Sequence, residues 1–141
     1  MEDVLDVYQQ PYDSDCPVIC MDEKPYQLLG KSRQAIHTKR ARPKRVDDEY
    51  ICNGTCCIFL FTEALSGWRH VDPQEHRTKV DWAHQIRNLL EIEYPDCQKV
   101  RLAMDNLNAH TLSSLYEAFS PDIVHSLAKR LEIHYTPKHG S

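Results

Sequence analysis

The chain predicts an α/β domain, a mixed β-sheet with helices packed on it, and three observations carry that reading. Three strand-like apolar runs come first, and an alternation of helix, strand, helices and strand follows. That is the order of hairpin-linked strands joined to crossover units. Of the runs, residues 18–21 are apolar on both faces, as central strands are, and residues 100–104 are mostly apolar. Each of these two leads directly into an aspartate, Asp22 and Asp105. A carboxylate at the carboxyl end of a strand fixed by neighbours on both sides is a rigid place to hold a metal ion. Should the two strands lie side by side and parallel, about 4.8 Å apart, both acids emerge at the same end of the sheet.

In chain order, residues 1–8 place Val4, Leu5 and Val7 among acids and read as one short helix. Residues 9–17, with two prolines and several Asp and Ser, read as a linker. Together 1–17 are expected to be a linker and helix remnant of a connection from an upstream region. The first strand is 18–21. After Asp22-Glu23-Lys24-Pro25 a second is predicted over 26–29, closed by Gly30. The third lies within 50–61, where Asn53-Gly54 is a turn signal that splits the region. Residues 67–71 add a short strand with Trp68 and His70 on one face. Thr78-Lys79-Val80-Asp81 has the form of a capping box, and Val80, Ala83, Ile86, Leu89 and Leu90 recur at helical spacing to about residue 93. The Asp105 strand follows. A helix over 111–119 is predicted to turn Leu112, Leu115, Tyr116 and Phe119 to one side. Ser120-Pro121-Asp122 then starts another, with Ser as N-cap and Pro in the first turn, burying Ile123, Val124 and Leu127. Residues 131–135 alternate as a last strand.

Composition bounds the function. The 141 residues suffice for one domain with a core, and 41% hydrophobic against 27% charged content is that of a soluble globular protein. No apolar run approaches the roughly 18 residues of a membrane span, and the acidic start is unlike a signal peptide, so a cytoplasmic location is expected, with no membrane partner. Six cysteines without an export signal read mostly as buried thiols, which pack like small hydrophobes. A zinc-binding interaction module is the remote alternative, because Cys16-x3-Cys20 and Cys52-x3-Cys56 lack the usual C-x2-C spacing. The net charge of −4 is uneven: residues 31–46 hold seven basic residues and no acid, leaving the rest at −11. An acidic body with one basic loop suits a module that meets a polyanion at one place, through Arg40, Arg42, Lys44 and Arg45. The competing reading of that stretch is a solvated loop.

Five phrases add a resemblance: CMDEKPYQLLG (20–30), GWRHVD (67–72), KVDWAHQI (79–86), MDNLNAHT (104–111) and YTPKHGS (135–141). In this order, over nearly the whole chain, they resemble the catalytic domain of bacterial insertion-sequence transposases of the mariner-like superfamily. These are DDE enzymes on the RNase H-like fold. The resemblance implies that Asp22 and Asp105 are the first and second acids of a triad. It further implies two divalent ions, normally magnesium (or manganese), held among three carboxylates for DNA strand cleavage and transfer, with transposon-end DNA as partner. One ion activates water or a DNA 3′-hydroxyl, and the other stabilises the departing oxygen.

The chain departs from the family pattern at its end. The third acid, a Glu on a helix after the Tyr-x-Pro turn, has no counterpart before Ser141. Glu132 comes too early, and Glu23 neighbours the first acid rather than forming a third corner, which leaves it a candidate to support the metal-holding acids from behind. Residues 18–141 therefore read as a partial, C-terminally incomplete RNase H-like domain with a basic insertion at 31–46. Weak or absent metal binding, little or no catalysis, and self-association through an uncovered sheet face are expected. The alternative is a non-catalytic nucleic-acid-binding remnant. Asn106 either hydrogen-bonds a metal-held water or shapes the turn. His110 either orients Asp105 or a phosphate, or caps the following helix.

Overall fold

A computed structural model describes residues 2–33, 40, 49–107 and 110–137. The elements run α1 (Glu2–Tyr8), β1 (Val18–Lys31), β2 (Tyr50–Glu63), β3 (Trp68–Gln74), α2 (Lys79–Asn88), β4 (Val100–Asp105), α3 (Leu112–Ala118), α4 (Pro121–Arg130) and β5 (Leu131–Thr136). The strands form a sheet of order β3-β2-β1-β4-β5. β1, β2 and β3 are an antiparallel meander, whereas β1–β4 and β4–β5 are parallel. The two aspartate-ended runs are therefore the two innermost neighbours that join the meander to the crossover half.

β1 corrects the reading of 18–21 and 26–29 as separate strands, since 14 residues run without a break through Asp22-Glu23-Lys24-Pro25. β4 pairs only with residues 18–20, so beyond Cys20 β1 has one free edge. Proline lacks an N–H and is tolerated on such an edge, and Pro25 sits there, facing Cys57 of β2. Asn53-Gly54 likewise does not split β2. The register steps from Gln27–Thr55 to Leu29–Cys52, one extra residue on β2, and Gly54 takes φ 121° inside that bulge. Close approach also fixes Gly30, where a Cβ would stand 2.4 Å from Asn53 Nδ2.

One face of the sheet carries the core. Ile19 and Met21, Phe59 and Phe61, and Val100, Leu102 and Met104 alternate inward against Trp82, Ala83, Ile86, Leu89 and Leu90 of α2 and its extension, Leu115 of α3, and Val124 and Leu127 of α4. α2 begins as predicted: the Thr78 side chain accepts the Asp81 N–H at 3.1 Å, and Asp81 accepts the Thr78 N–H at 2.8 Å. Its inward stripe is Trp82, Ala83, Gln85 and Ile86, while Val80 is exposed. Leu112 and Tyr116 of α3 are exposed too, because seven residues offer barely two turns and only Ser114 and Leu115 face the sheet. Ser120 takes the extended N-cap conformation, though its side chain makes no capping bond. Only Cys57 of the six free cysteines is fully buried, so the expectation of mostly buried thiols fails: Cys16, Cys20, Cys56 and Cys97 are half-buried and Cys52 is exposed.

α2 runs on into a π-helical turn, Leu89–Glu93, which leaves carbonyls without helical partners. Arg130, the last residue of α4, supplies donors to them: its guanidinium reaches the carbonyls of Leu90 (2.9 Å), Tyr94 (2.6 Å), Pro95 (3.2 Å) and Cys97 (3.1 Å). On the opposite face α1 buries Val4 and Val7. It is tied to β5 by His134, whose ring nitrogens face Asp3 at 2.8 Å and Glu132 at 2.9 Å. No helix among the described residues is long and apolar enough to cross a membrane.

Two measurements check these ties. Arg130→Ala is expected to lower unfolding free energy by about 3 kcal/mol in denaturant melts, because several carbonyls lose a charged donor together, and Arg130→Lys recovers less than half of that. The hydrogen bond to His134, and then its charge and that of Lys99, hold the Glu132 carboxyl below its ordinary value of 4.5. A depressed carboxyl stabilises the fold above its unfolded value, and the contribution is lost as pH falls through the folded one. Glu132→Gln should therefore lower stability at pH 7 and converge with wild type in acid, which flattens the loss below about pH 4.5.

Candidate metal and DNA site

Asp22 and Asp105 lie on adjacent parallel strands. The parallel register pairs Val18 with Arg101, Ile19 with Leu102 and Cys20 with Ala103. Two residues further along, the same register sets Asp22, inside β1 where β4 parts from it, against Asp105 at the carboxyl end of β4. Such a crevice is where open α/β sheets accept ligands. Alternation turns both acids off the core face: Ile19 and Met21 point inward and Asp22 does not, and Leu102 and Met104 point inward and Asp105 does not. Asp22 lines a shallow hollow of about 270 Å³ with Lys24, Ile58, Leu60 and Val71.

Each acid keeps an oxygen for a ligand. Asp22 is exposed, and its Oδ1 accepts the Glu23 N–H at 2.8 Å. The Asp105 side chain is 49% exposed. Two outward carboxylates suit a hard divalent cation, which prefers oxygen and accepts one or two protein carboxylates while keeping waters. The residues present thus fit magnesium or manganese held loosely. Among the described residues no group of three or more His, Cys, Asp or Glu that could hold a metal is assembled. Glu132, which pairs with Arg101, lies toward the other end of β4.

Glu23 and His110 are buried behind the pair. Their side chains are 2% and 1% exposed, and His110 Nε2 hydrogen-bonds Glu23 Oε1. The imidazole stacks on Trp82 with ring centroids 5.6 Å apart, and the Tyr135 hydroxyl donates to the His110 carbonyl at 2.7 Å. His110 Nδ1 lies 3.5 Å from Asp105 Oδ1, and the Arg77 guanidinium stands 3.6 Å from Glu23 Oε2. Burial, and then the charge of Glu23, push the neighbouring Cys57 thiol up.

The N-cap of α3 is Thr111, and the His110 ring faces the acids instead. Asn106 is exposed at the turn. Trp82 is fully buried and serves as the wall for His110. Of the basic residues, Arg40 is exposed, while Arg42, Lys44 and Arg45 lie outside the described residues. Arg77 and Tyr135 were not expected at the site. Tyr135 sits inside the recognised YTPKHGS phrase, and no signal in the sequence marks Arg77.

Residues 17–141 match the family model described as DDE superfamily endonuclease. The chain belongs to that family. Solved structures agree on the fold of this DDE-family chain. The Mos1 mariner paired-end complex with Mn superposes with a TM-score of 0.54 at 19% identity, covering 99% of this chain and 40% of that one. The Mos1 strand transfer complex gives 0.57 at 14% identity, covering 97% and 40%. A Mos1 transposase paired-end complex with the left transposon end gives 0.52 at 18% identity, covering 94% and 38%. The fold is RNase H-like, a mixed five-stranded sheet with helices. The chain spans about 40% of the length of the solved chains it matches. A search of curated proteins gave no match.

Proposed function

We propose that this is a DDE transposase-type endonuclease domain whose Asp22 and Asp105 hold a divalent cation, magnesium or manganese, for work on DNA. The observation that carries the reading is the shared register of the two acids where parallel β1 and β4 part, in a chain of the DDE endonuclease family. A divalent ion bound there supplies Lewis-acid charge neutralisation at a phosphodiester, whose own negative charge repels nucleophiles. The chain's part is to hold the acids: Asp22 through the Glu23 amide, Asp105 at the end of a mostly buried strand. The basic residues Arg40, Arg42, Lys44 and Arg45 meet phosphates, which attracts DNA to an otherwise acidic body. The complexes of Mos1 with Mn and with a transposon end support this choice of cation and polymer.

With only two acids assembled among the described residues, strand cleavage by this 141-residue chain alone is expected to be absent. Losing a principal electrostatic stabiliser of a transition state costs on the order of 3–4 kcal/mol, and each ~1.4 kcal/mol is tenfold in rate. DNA binding without cleavage is the behaviour that the second reading, a nucleic-acid-binding remnant, shares.

Manganese titration followed by calorimetry or by electron paramagnetic resonance checks the acids. Asp22→Asn and Asp105→Asn should each weaken binding at least tenfold with the fold intact, and an unchanged affinity in both removes the site. In a nicking assay with magnesium or manganese, cleavage that disappears in Asp105→Asn would overturn the expectation of inactivity. For the basic loop, log affinity for duplex DNA should fall linearly with log salt, and Arg40→Ala with Arg42→Ala should reduce that slope by about 2. Binding indifferent to ionic strength counts against phosphate contact.

A further inference from the structure

Residue 23 touches both acids by different routes. Its amide donates to Asp22 Oδ1 at 2.8 Å, and its carboxylate engages His110, whose remaining nitrogen faces Asp105 Oδ1 at 3.5 Å. We infer that Glu23 and His110 are positioning residues that set the Asp105 carboxylate, a role that rests on the proposed Asp22–Asp105 cation site.

Asp105 needs such a device. It ends β4, where the ladder stops, and half its side chain is in water, so the strand fixes its backbone but not its carboxylate. His110 is held on three sides. Trp82 stacks on the ring, Glu23 binds Nε2, and Tyr135 clamps the backbone carbonyl. A buried histidine that only filled the core would turn both nitrogens to partners, because an unpaired buried nitrogen is costly. Here Nδ1 has no hydrogen-bond partner among the described residues, and Asp105 is the carboxylate within reach. Carboxylates that ligate metals are themselves commonly oriented by a hydrogen-bonded second layer. Glu23 Oε2 also lacks a hydrogen bond, and the Arg77 guanidinium at 3.6 Å offsets its charge. The strut thus has a charged anchor at its inner end and Asp105 at its outer end.

Replacing His110 separates positioning from packing, because the two amide side chains imitate different ring nitrogens. His110→Asn puts an amide near Nδ1 and keeps a donor toward Asp105, whereas His110→Gln reaches toward Glu23 and leaves Asp105 alone. The first readout needs no metal: the Asp105 side-chain carboxyl ¹³C resonance, assigned by its loss in Asp105→Asn. It should move toward that of a free aspartate in His110→Gln and stay near wild type in His110→Asn. The second is manganese affinity, expected to fall about tenfold to a hundredfold in His110→Gln and less than about threefold in His110→Asn. Should either variant fail to fold, Glu23→Gln, which keeps the volume of the anchor, carries both readouts and should shift the resonance and weaken binding.

An Asp105 resonance unmoved in folded His110→Gln or Glu23→Gln overturns the inference. Affinity losses that merely follow melting temperature, equal for Asn and Gln at 110, overturn it as well. If Asp22→Asn and Asp105→Asn leave manganese affinity unchanged, the metal site itself is lost, and the resonance alone then decides whether the strut holds Asp105.

Discussion

Three residue pairs, Val18–Arg101, Ile19–Leu102 and Cys20–Ala103, join the meander to the crossover half, and the candidate site depends on them. A slip of one residue in that register would turn Ile19 or Leu102 out of the core and swing one acid to the wrong face. The core prevents the slip. Ile19, Leu102 and Met104 pack against Trp82, Ile86 and Leu90, and each lies under a helix that leaves no room for an alternative set. Site geometry is in this sense a by-product of packing. The same burial that stabilises the sheet determines where Asp22 and Asp105 emerge.

The local grammar of the chain was legible where the signal and its partner are close together. Apolar runs ending in aspartate marked β1 and β4, Thr78 and Asp81 closed their capping box three residues apart, and Pro121 sat in the first turn of α4. Misreadings arose where a distant strand decided the matter. Pro25 looks like a break until β2 on one side and an open edge on the other make it tolerable. Asn53-Gly54 looks like a turn until β1 recruits it as a bulge. Val80, Leu112 and Tyr116 fit a helical stripe but extend past the area of sheet available to cover them.

The site was legible in part for the same reason. Asp22 and Asp105 could be named from the ends of apolar runs and from the recognised phrases, and the fold puts them on adjacent parallel strands. The Glu23–His110 contact spans 87 residues and has no periodicity to announce it. Glu23 could be named as a neighbour of Asp22, but its buried partners could not, because the inward side of position 23 is known only once His110 and Arg77 stand against it. The family match over residues 17–141 and the likeness to Mos1 reach the same architecture from the outside, through shared shape at low identity.

The central position of β1 also has a kinetic side. Its antiparallel partner β2 follows after one loop, but its parallel partner pairs Cys20 with Ala103, and nothing between them in the chain can stand in. During synthesis the meander can assemble while one side of β1 remains bare, its inward Ile19 and Met21 uncovered until α2 and β4 emerge. Non-local parallel pairing repays its loop-closure entropy late, so this edge is the slow step of folding and the interval in which a neighbouring strand from another chain competes for it.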